Sequence, residues 1–307
     1  MQKRYAFSDY HPTINFLYFA LVLSCAMFLM HPVYLALSFA TALAYSLHLR
    51  GRKAVRFSLA VVLPMMLIAA IVNPAFSHEG ATILSYLPSG NPLTLESIAY
   101  GLAAAAMLAS VILWFTCFNE VITSDKFVYL FGKVSPALSL VLSMTFRFVP
   151  KFTAQFKETL HAQRCIGRDI SDGPLLSRMR VGITVLSIMV TRSLEGSIDT
   201  ADSMKSRGYG LPGRTAFSIY RFGNRDRKAL AWIVFCGAYI FAGWTAGAMS
   251  FRYYPTLKAA AWNAHAMSTA IVYAMLCLTP VILDIWQDKR WESIARVSNN
   301  CANGSGK

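Results

Sequence analysis

Charge is scarce in this chain: 14% of its 307 residues are Asp, Glu, Lys or Arg, while 55% are hydrophobic. That balance excludes a single soluble domain, and several uncharged runs reach the roughly 18 residues a bilayer crossing requires. Acids are scarcer than bases, 15 against 29, which leaves a formal charge of +14. No aromatic-interleaved basic motif accompanies that excess, so nucleic acid is not an expected partner. In a polytopic membrane protein the same excess records which loops stay in the cytoplasm.

Other absences narrow the function. The six cysteines (Cys25, Cys117, Cys165, Cys236, Cys277 and Cys301) form no CxxC pair, and no histidine is spaced to complete a metal site. Neither structural disulfides nor zinc is expected. There is no phosphate loop of the GxxxxGK[ST] form, so the chain is not expected to hydrolyse ATP itself. No repeat of fixed period is visible, which argues against an inverted-repeat secondary transporter. Lys3 and Arg4 precede an apolar stretch that continues through a second span. That is too long for a cleaved signal peptide, and Met1 is expected to remain.

What is present is an all-α pattern with about six spans, at residues 13–30, 32–48, 57–77, 97–118, 229–249 and 265–285. The first two either cross fully or form a shallow hairpin turning at His31-Pro32, where Pro32 stops one helix and starts another. Arg50, Arg52, Lys53 and Arg56 crowd one loop, residues 119–228 are basic, and Lys289, Arg290 and Arg296 follow the last span. The 78–96 loop holds Glu79 and Glu96 but no base, which puts it outside and both termini in the cytoplasm; Arg252 and Lys258 run against this assignment. That loop reads as a connector, with Thr94 capping the next span. The expected division is 1–118 for N-terminal spans, 119–227 for a cytoplasmic helical region, 228–290 for C-terminal spans and 291–307 for a polar tail, disordered from Ser298.

The 119–227 region carries the functional signal. An amphipathic turn at Phe127, Val128, Leu130 and Phe131 leads to Ser135-Pro136, read as the cap and first residue of a helix that ends near Pro150 and is either re-entrant or interfacial. Phe152, Phe156 and Leu160 then mark a one-striped helix that Gly167 ends. Asp169 to Pro174 reads as a turn. A long helix over about 175–207 follows, apolar in its first half, charged in its second, and closed by Gly208.

Two helices thus end in small-residue, glycine-terminated tips, Cys165-Ile166-Gly167 and Ser206-Arg207-Gly208. A small residue lets a tip seat deep in a groove, and glycine lets the chain turn away. An adjacent Arg offers a fork of donors to a partner carboxylate. Ordinary capping with a solvated Arg explains either tip alone; their pairing points to docking.

Phe146-Arg147-Phe148-Val149-Pro150, Ala162-Gln163-Arg164-Cys165-Ile166-Gly167-Arg168-Asp169 and Ser206-Arg207-Gly208-Tyr209-Gly210 together resemble the transmembrane T component of energy-coupling factor (ECF) transporters. The resemblance covers most of the chain by layout and about 145–209 by motif. It implies a T subunit in the cell membrane of a prokaryote, serving an ATP-driven importer of a vitamin or metal, with two cytoplasmic coupling helices tipped by Ala-Arg-Gly motifs. Each tip would dock in one subunit of a pair of ATP-binding cassette ATPases, and the helices would cradle a separate S-type substrate-binding membrane subunit. ATP and Mg²⁺ would be used by those partners, with no cofactor on this chain. Cys165, Ile166, Gly167, Ser206, Arg207 and Gly208 then become the docking residues, with Arg147, Pro150, Arg164, Arg168 and Tyr209 in support. Cys and Ile at the first tip depart from Ala-Arg-Gly: Ile166 forms no ion pair, so that contact is apolar or is rescued by Arg164 or Arg168.

Two rival readings stay open. Asp199 with Asp202, and Asp169 with Asp172, are spaced to hold Mg²⁺ for a diphosphate, as in an integral-membrane prenyl or diphosphate transferase. Arg192, Lys205 and Arg207 beside them favour solvated helix charges. A channel or secondary transporter would bury charge within its spans, and these hold almost none before Asp284. His11, His31, His48, His78, His161 and His265 are dispersed, which gives a proton relay little support. Met27, Met30, Met65, Met66, Trp232, Tyr239 and Trp244 read as packing residues.

Overall fold

The computed structural model describes residues 7–77, 79–86, 92–168, 174–211, 220–247, 249–259 and 263–304. The chain divides into two compact units, Met1–Thr123 with Tyr220–Lys307, and Ser124–Ile219. The architecture is an all-α membrane bundle.

Helices α1 (Pro12–Phe28) and α2 (Pro32–Arg50) start alike. Each opens on a proline, which has no N–H to lose and a preset φ. Each is preceded by a histidine whose Nδ1 accepts the backbone N–H two residues on, Thr13 for His11 and Val33 for His31, both at 3.3 Å. Beyond Gly51, at φ 55°, α3 (Arg52–Phe57) passes through a π turn, Ser58–Val62, into α4 (Leu63–Phe76), together a 25-residue rod. Pro64 accounts for the π turn: its ring would press on the carbonyl of Ala60, so the ladder widens there.

The connection between α4 and the next span contains a strand pair. Strands β1 (Ile83–Tyr86) and β2 (Pro92–Thr94) pair antiparallel, and Glu96, 2% exposed, accepts the Thr82 hydroxyl at 2.7 Å and the Thr82 N–H at 3.2 Å. Thr94 caps α5 (Leu95–Val121) by accepting the Ser97 N–H at 3.3 Å. The second unit holds α6 (Ser124–Val134), α7 (Pro136–Cys165) and α8 (Leu175–Ser206). The chain returns to the first unit with α9 (Asn224–Thr245), a short hairpin of β3 (Phe251–Arg252) and β4 (Lys258–Ala259), and α10 (Ala264–Gly304).

Two expectations are corrected. The helix expected to end near Pro150 runs through it to Cys165 as one element of 30 residues. Around the proline, Phe148 and Phe152 stack at 5.7 Å, and Thr153 Oγ1 bonds back to the carbonyls of Val149 and Pro150 at 3.1 and 2.8 Å. The tail expected to be disordered from Ser298 continues α10 to Gly304. After Pro280 no proline follows, and Gly304 is the first glycine. The turn expected at Asp169–Pro174 lies outside the described residues except for Pro174.

Among the described residues, six helices are long and apolar enough to cross a membrane: Pro32–Arg50, Arg52–Phe76, Leu95–Val121, Leu175–Ser206, Asn224–Thr245 and Ala264–Gln287. The first expected span is shorter, Pro12–Phe28. By length and composition α8 qualifies too, on the strength of its apolar first half.

The core of the first unit is built on Trp114, with Tyr18, Phe19 and Tyr45 around it at ring distances of 6.3 Å. Its indole N–H donates to Ser38 Oγ at 3.1 Å. Tyr18 Oη donates to the carbonyls of Leu276 and Cys277 at 3.2 and 3.3 Å, and Tyr34 Oη pairs with Thr269 Oγ1 at 2.8 Å. Lipid tails are as apolar as a leucine, so burial alone does not hold such helices together; close packing and interhelical hydrogen bonds do. Glycines permit the approach. A Cβ on Gly101 would lie 3.0 Å from the Ala70 carbonyl oxygen, and one on Gly243 would lie 2.6 Å from the Thr269 methyl.

The amino-terminal segment is held by two buried acids. Asp284 Oδ1 accepts the Phe7 N–H at 2.9 Å, and Asp226 Oδ1 accepts the His11 N–H at 3.3 Å. Asp284 Oδ2 also stands 3.9 Å from His48 Nε2. The nearly lone acid of the spans is therefore a structural clasp, and one dispersed histidine is brought beside it.

Candidate functional site

The second unit contains both tips. In α7, Thr159 and Gln163 are buried, and Thr159 Oγ1 lies 3.9 Å from Met189 Sδ of α8. Val185 of α8 is fully covered. Farther from the first tip, Met144, Arg147, Phe148 and Lys151 share a groove with Gly196, Asp199, Ser203, Met204 and Arg207. Rising residue numbers on α7 meet falling ones on α8, so the two helices run antiparallel and their carboxyl-terminal tips lie at opposite ends of the pair. Arg147 to Cys165 spans about 27 Å at ~1.5 Å per residue, which sets the scale of the separation.

The tips share one cap geometry. At the first, the Gly167 N–H donates to the Arg164 carbonyl at 2.9 Å and the Arg168 N–H to the Gln163 carbonyl at 3.0 Å. At the second, the Gly208 N–H donates to the Lys205 carbonyl at 3.0 Å and the Tyr209 N–H to the Met204 carbonyl at 3.0 Å. These are the paired bonds of a Schellman stop, which needs glycine at the left-handed position. Gly167 has φ 79° and Gly208 φ 74°. Ile166 (φ −90°, ψ 6°) and Arg207 (φ −87°, ψ 10°) are equivalent, and so are Cys165 and Ser206. All four side-chain residues are exposed, Ile166 at 70%.

An apolar side chain that far out, at the place where the other tip presents an arginine, is a poor solvent residue and a suitable contact residue. The two ends therefore offer the same backbone shape with different chemistry. A Cβ on Gly167 would meet nothing within 4 Å, so its glycine answers the backbone and not the local packing.

Supporting residues fall into separate places. Arg147 joins Arg207, together with Lys151 and Asp199, around a groove of about 510 Å³. Three bases against one acid leave that groove positive and suited to a carboxylate-bearing partner. Arg164 and Arg168 flank the first tip and Tyr209 follows the second, where its N–H completes the cap. Pro150 is exposed and stands outside the residues lining the groove. Lys151, a charge on the non-apolar face of its helix, and Asp199, weighed from sequence with Asp202 as a Mg²⁺ pair or a solvated helix charge, both belong to the groove. The spacing of Arg147 and Lys151, one helical turn apart, was the available signal.

Both helices carry exposed apolar stripes. On α8, Leu176, Met179, Ile183, Leu186, Val190, Leu194 and Ile198 are all at least half exposed. On α7, Leu138, Val141, Val149, Phe152 and Phe156 are exposed along one face, with Thr145 between Val141 and Val149. Such a stripe belongs against lipid or another helix. Asp169 and Asp172 lie outside the described residues, and no cluster of three or more potential metal ligands occurs among the described residues.

Comparison with known proteins agrees with this layout. The family model described as cobalt transport protein (CbiQ) matches residues 8–217. The energy-coupling factor transporter transmembrane protein EcfT of Lactobacillus helveticus is 35% identical over 98 residues, 32% of this chain and 35% of that protein. Its counterparts in Bacillus selenitireducens and Exiguobacterium sibiricum are 30% identical over 106 residues and 31% over 101. Those alignments cover 34% and 33% of this chain, and 40% and 38% of the respective relatives. The aligned region thus spans no more than two fifths of these relatives. With the family match extending across both the first spans and the two tipped helices, the chain belongs to the CbiQ cobalt transport protein family, that of the multi-pass transmembrane T components of energy-coupling factor transporters.

Proposed function

We propose that this chain is the non-catalytic coupling subunit of an ATP-driven importer, docking one ATP-binding cassette ATPase at Cys165-Ile166-Gly167 and a second at Ser206-Arg207-Gly208. The observation that carries this reading is the repetition of one cap at two exposed helix ends with different side chains at the equivalent positions. A helix end built twice, with glycine required both times, suits two related but unequal receptors. Arg147 and Lys151 beside Arg207 favour an acidic groove on the second ATPase. Ile166 favours an apolar seat on the first, with Arg164 and Arg168 at its rim.

The region 119–227 is read as the cytoplasmic coupling region, between the membrane segments 1–118 and 228–290. Both termini, including the tail 291–307, lie in the cytoplasm, as the excess of bases in these parts suggests. The exposed stripes of α7 and α8 are the surface for an S-type subunit that binds the cargo, a vitamin or a metal ion. ATP and Mg²⁺ are used by the ATPases, and this chain holds no cofactor. Closure of the ATPase pair moves the tips, and the helices carry that movement to the S-type subunit as rigid bodies.

A diphosphate transferase is disfavoured because Asp199 shares its groove with Arg147, Lys151 and Arg207, where a Mg²⁺ site would need further carboxylates. The test is co-purification in gentle detergent. The wild-type chain should bring down two ATPases and one small apolar subunit. Arg207→Glu should lose the ATPase docked at the second tip, because reversing one charge of a docked pair costs several kcal/mol and at least about thirtyfold in affinity. Undiminished ATPase recovery with Arg207→Glu would refute the docking role.

A further inference from the structure

A second basic site lies in the other unit, at the start of α9. Arg225 and Lys228 are one turn apart and exposed, and they edge a slot of about 280 Å³ whose walls include Ala229, Trp232, Thr279 and Leu283. Arg225 is held in place: its guanidinium lies 4.3 Å from the Tyr10 ring centre, and one N–H donates to the Asp9 carbonyl at 3.2 Å. The fork retains donors for a ligand. Trp232 is fixed by donating its indole N–H to Thr279 Oγ1 at 3.3 Å.

Asp9 lies beside Arg225 through its backbone carbonyl, and among the described residues no carboxylate forms an ion pair with Arg225 or Lys228. Asp226 and Asp284 are buried, and their oxygens accept the backbone N–H groups of Gly223, His11 and Phe7. The α9 helix begins with bases and then turns apolar, so its first turns mark the level where headgroups meet hydrocarbon. We infer that this slot binds one anionic glycerophospholipid, with Arg225 and Lys228 on the phosphate and an acyl chain along Ala229, Trp232 and Leu283. Charge and shape together select that occupant. A zwitterionic headgroup would bring an ammonium toward two cations, and free phosphate would leave the apolar walls unfilled. The positive end of the α9 dipole adds to the same preference.

The test is native mass spectrometry of the full chain released from nanodiscs of equal phosphatidylglycerol and phosphatidylcholine. Phosphatidylglycerol should be retained over phosphatidylcholine by about tenfold, and Lys228→Gln should cut that retention about fivefold, the usual effect of one cation beside an anionic lipid. Lys228→Glu should abolish the preference while leaving the helical content unchanged, since Lys228 is exposed. Millimolar inorganic phosphate should not displace the lipid. Equal retention of the two lipids, an unchanged preference in both Lys228 variants, or displacement by phosphate would each overturn the assignment.

Discussion

Ile166 and Arg207 occupy the same position of the same cap, so the difference between the two tips reduces to one side chain. Under the docking proposal, Ile166→Arg places a desolvated cation against an apolar seat unless a carboxylate waits there. Loss of one ATPase from the purified complex is the expected outcome, and unchanged binding of both would remove the assigned asymmetry. His31 shows a different residue-scale effect. Burial holds its imidazole below the ordinary value of 6.5, and its Nδ1 is the acceptor that caps α2. The neutral form is therefore favoured in the folded chain. Its contribution is fully present above about pH 6.5 and is lost as the pH falls toward the lowered folded value. His31→Asn keeps a capping acceptor and removes the titration. The fall in melting temperature between pH 7.5 and pH 5 should be smaller in that variant.

At the scale of elements, glycine serves two separate ends. In the tips it permits a left-handed stop, and in the bundle it permits close approach. Gly243 illustrates the close approach, since an added Cβ would lie 2.6 Å from the methyl of Thr269, which is itself fully buried and tied to Tyr34. Gly243→Ala should destabilise the packing of α9 on α10 by about 1–3 kcal/mol, the usual cost of overpacking, visible as an earlier unfolding transition in detergent. Pro150 and Pro64 show how long helices absorb a proline. Pro150 lies within the unbroken α7, Pro64 follows a π turn, and neither ends its rod.

For the whole molecule, the consequence is a division of labour. The first unit is a packed membrane bundle whose amino-terminal segment is fastened by Asp226 and Asp284, and the second unit presents the tips. Removing the Asp284 carboxylate leaves the buried Phe7 N–H without its acceptor, a cost of about 1–3 kcal/mol. Asp284→Ala should therefore raise hydrogen exchange across residues 7–11, while the cap amides of Gly167 and Gly208 keep their wild-type protection. Equal loss at all three places would mean that the clasp stabilises the molecule globally.

The membrane character, most of the spans and both glycine stops were legible in the sequence by itself, because each depends on local composition or on a single residue. Leu-rich runs announce spans, and Gly167 and Gly208 announce the end of a helix wherever the rest of the chain goes. The family followed from the motifs at these same places. Only the tertiary structure brought Arg147 and Lys151 to Arg207, set His48 against Asp284, paired β1 with β2 and carried α7 through Pro150. Most of those outcomes rest on contacts between residues far apart in the chain, and such contacts are not written in any short window of residues.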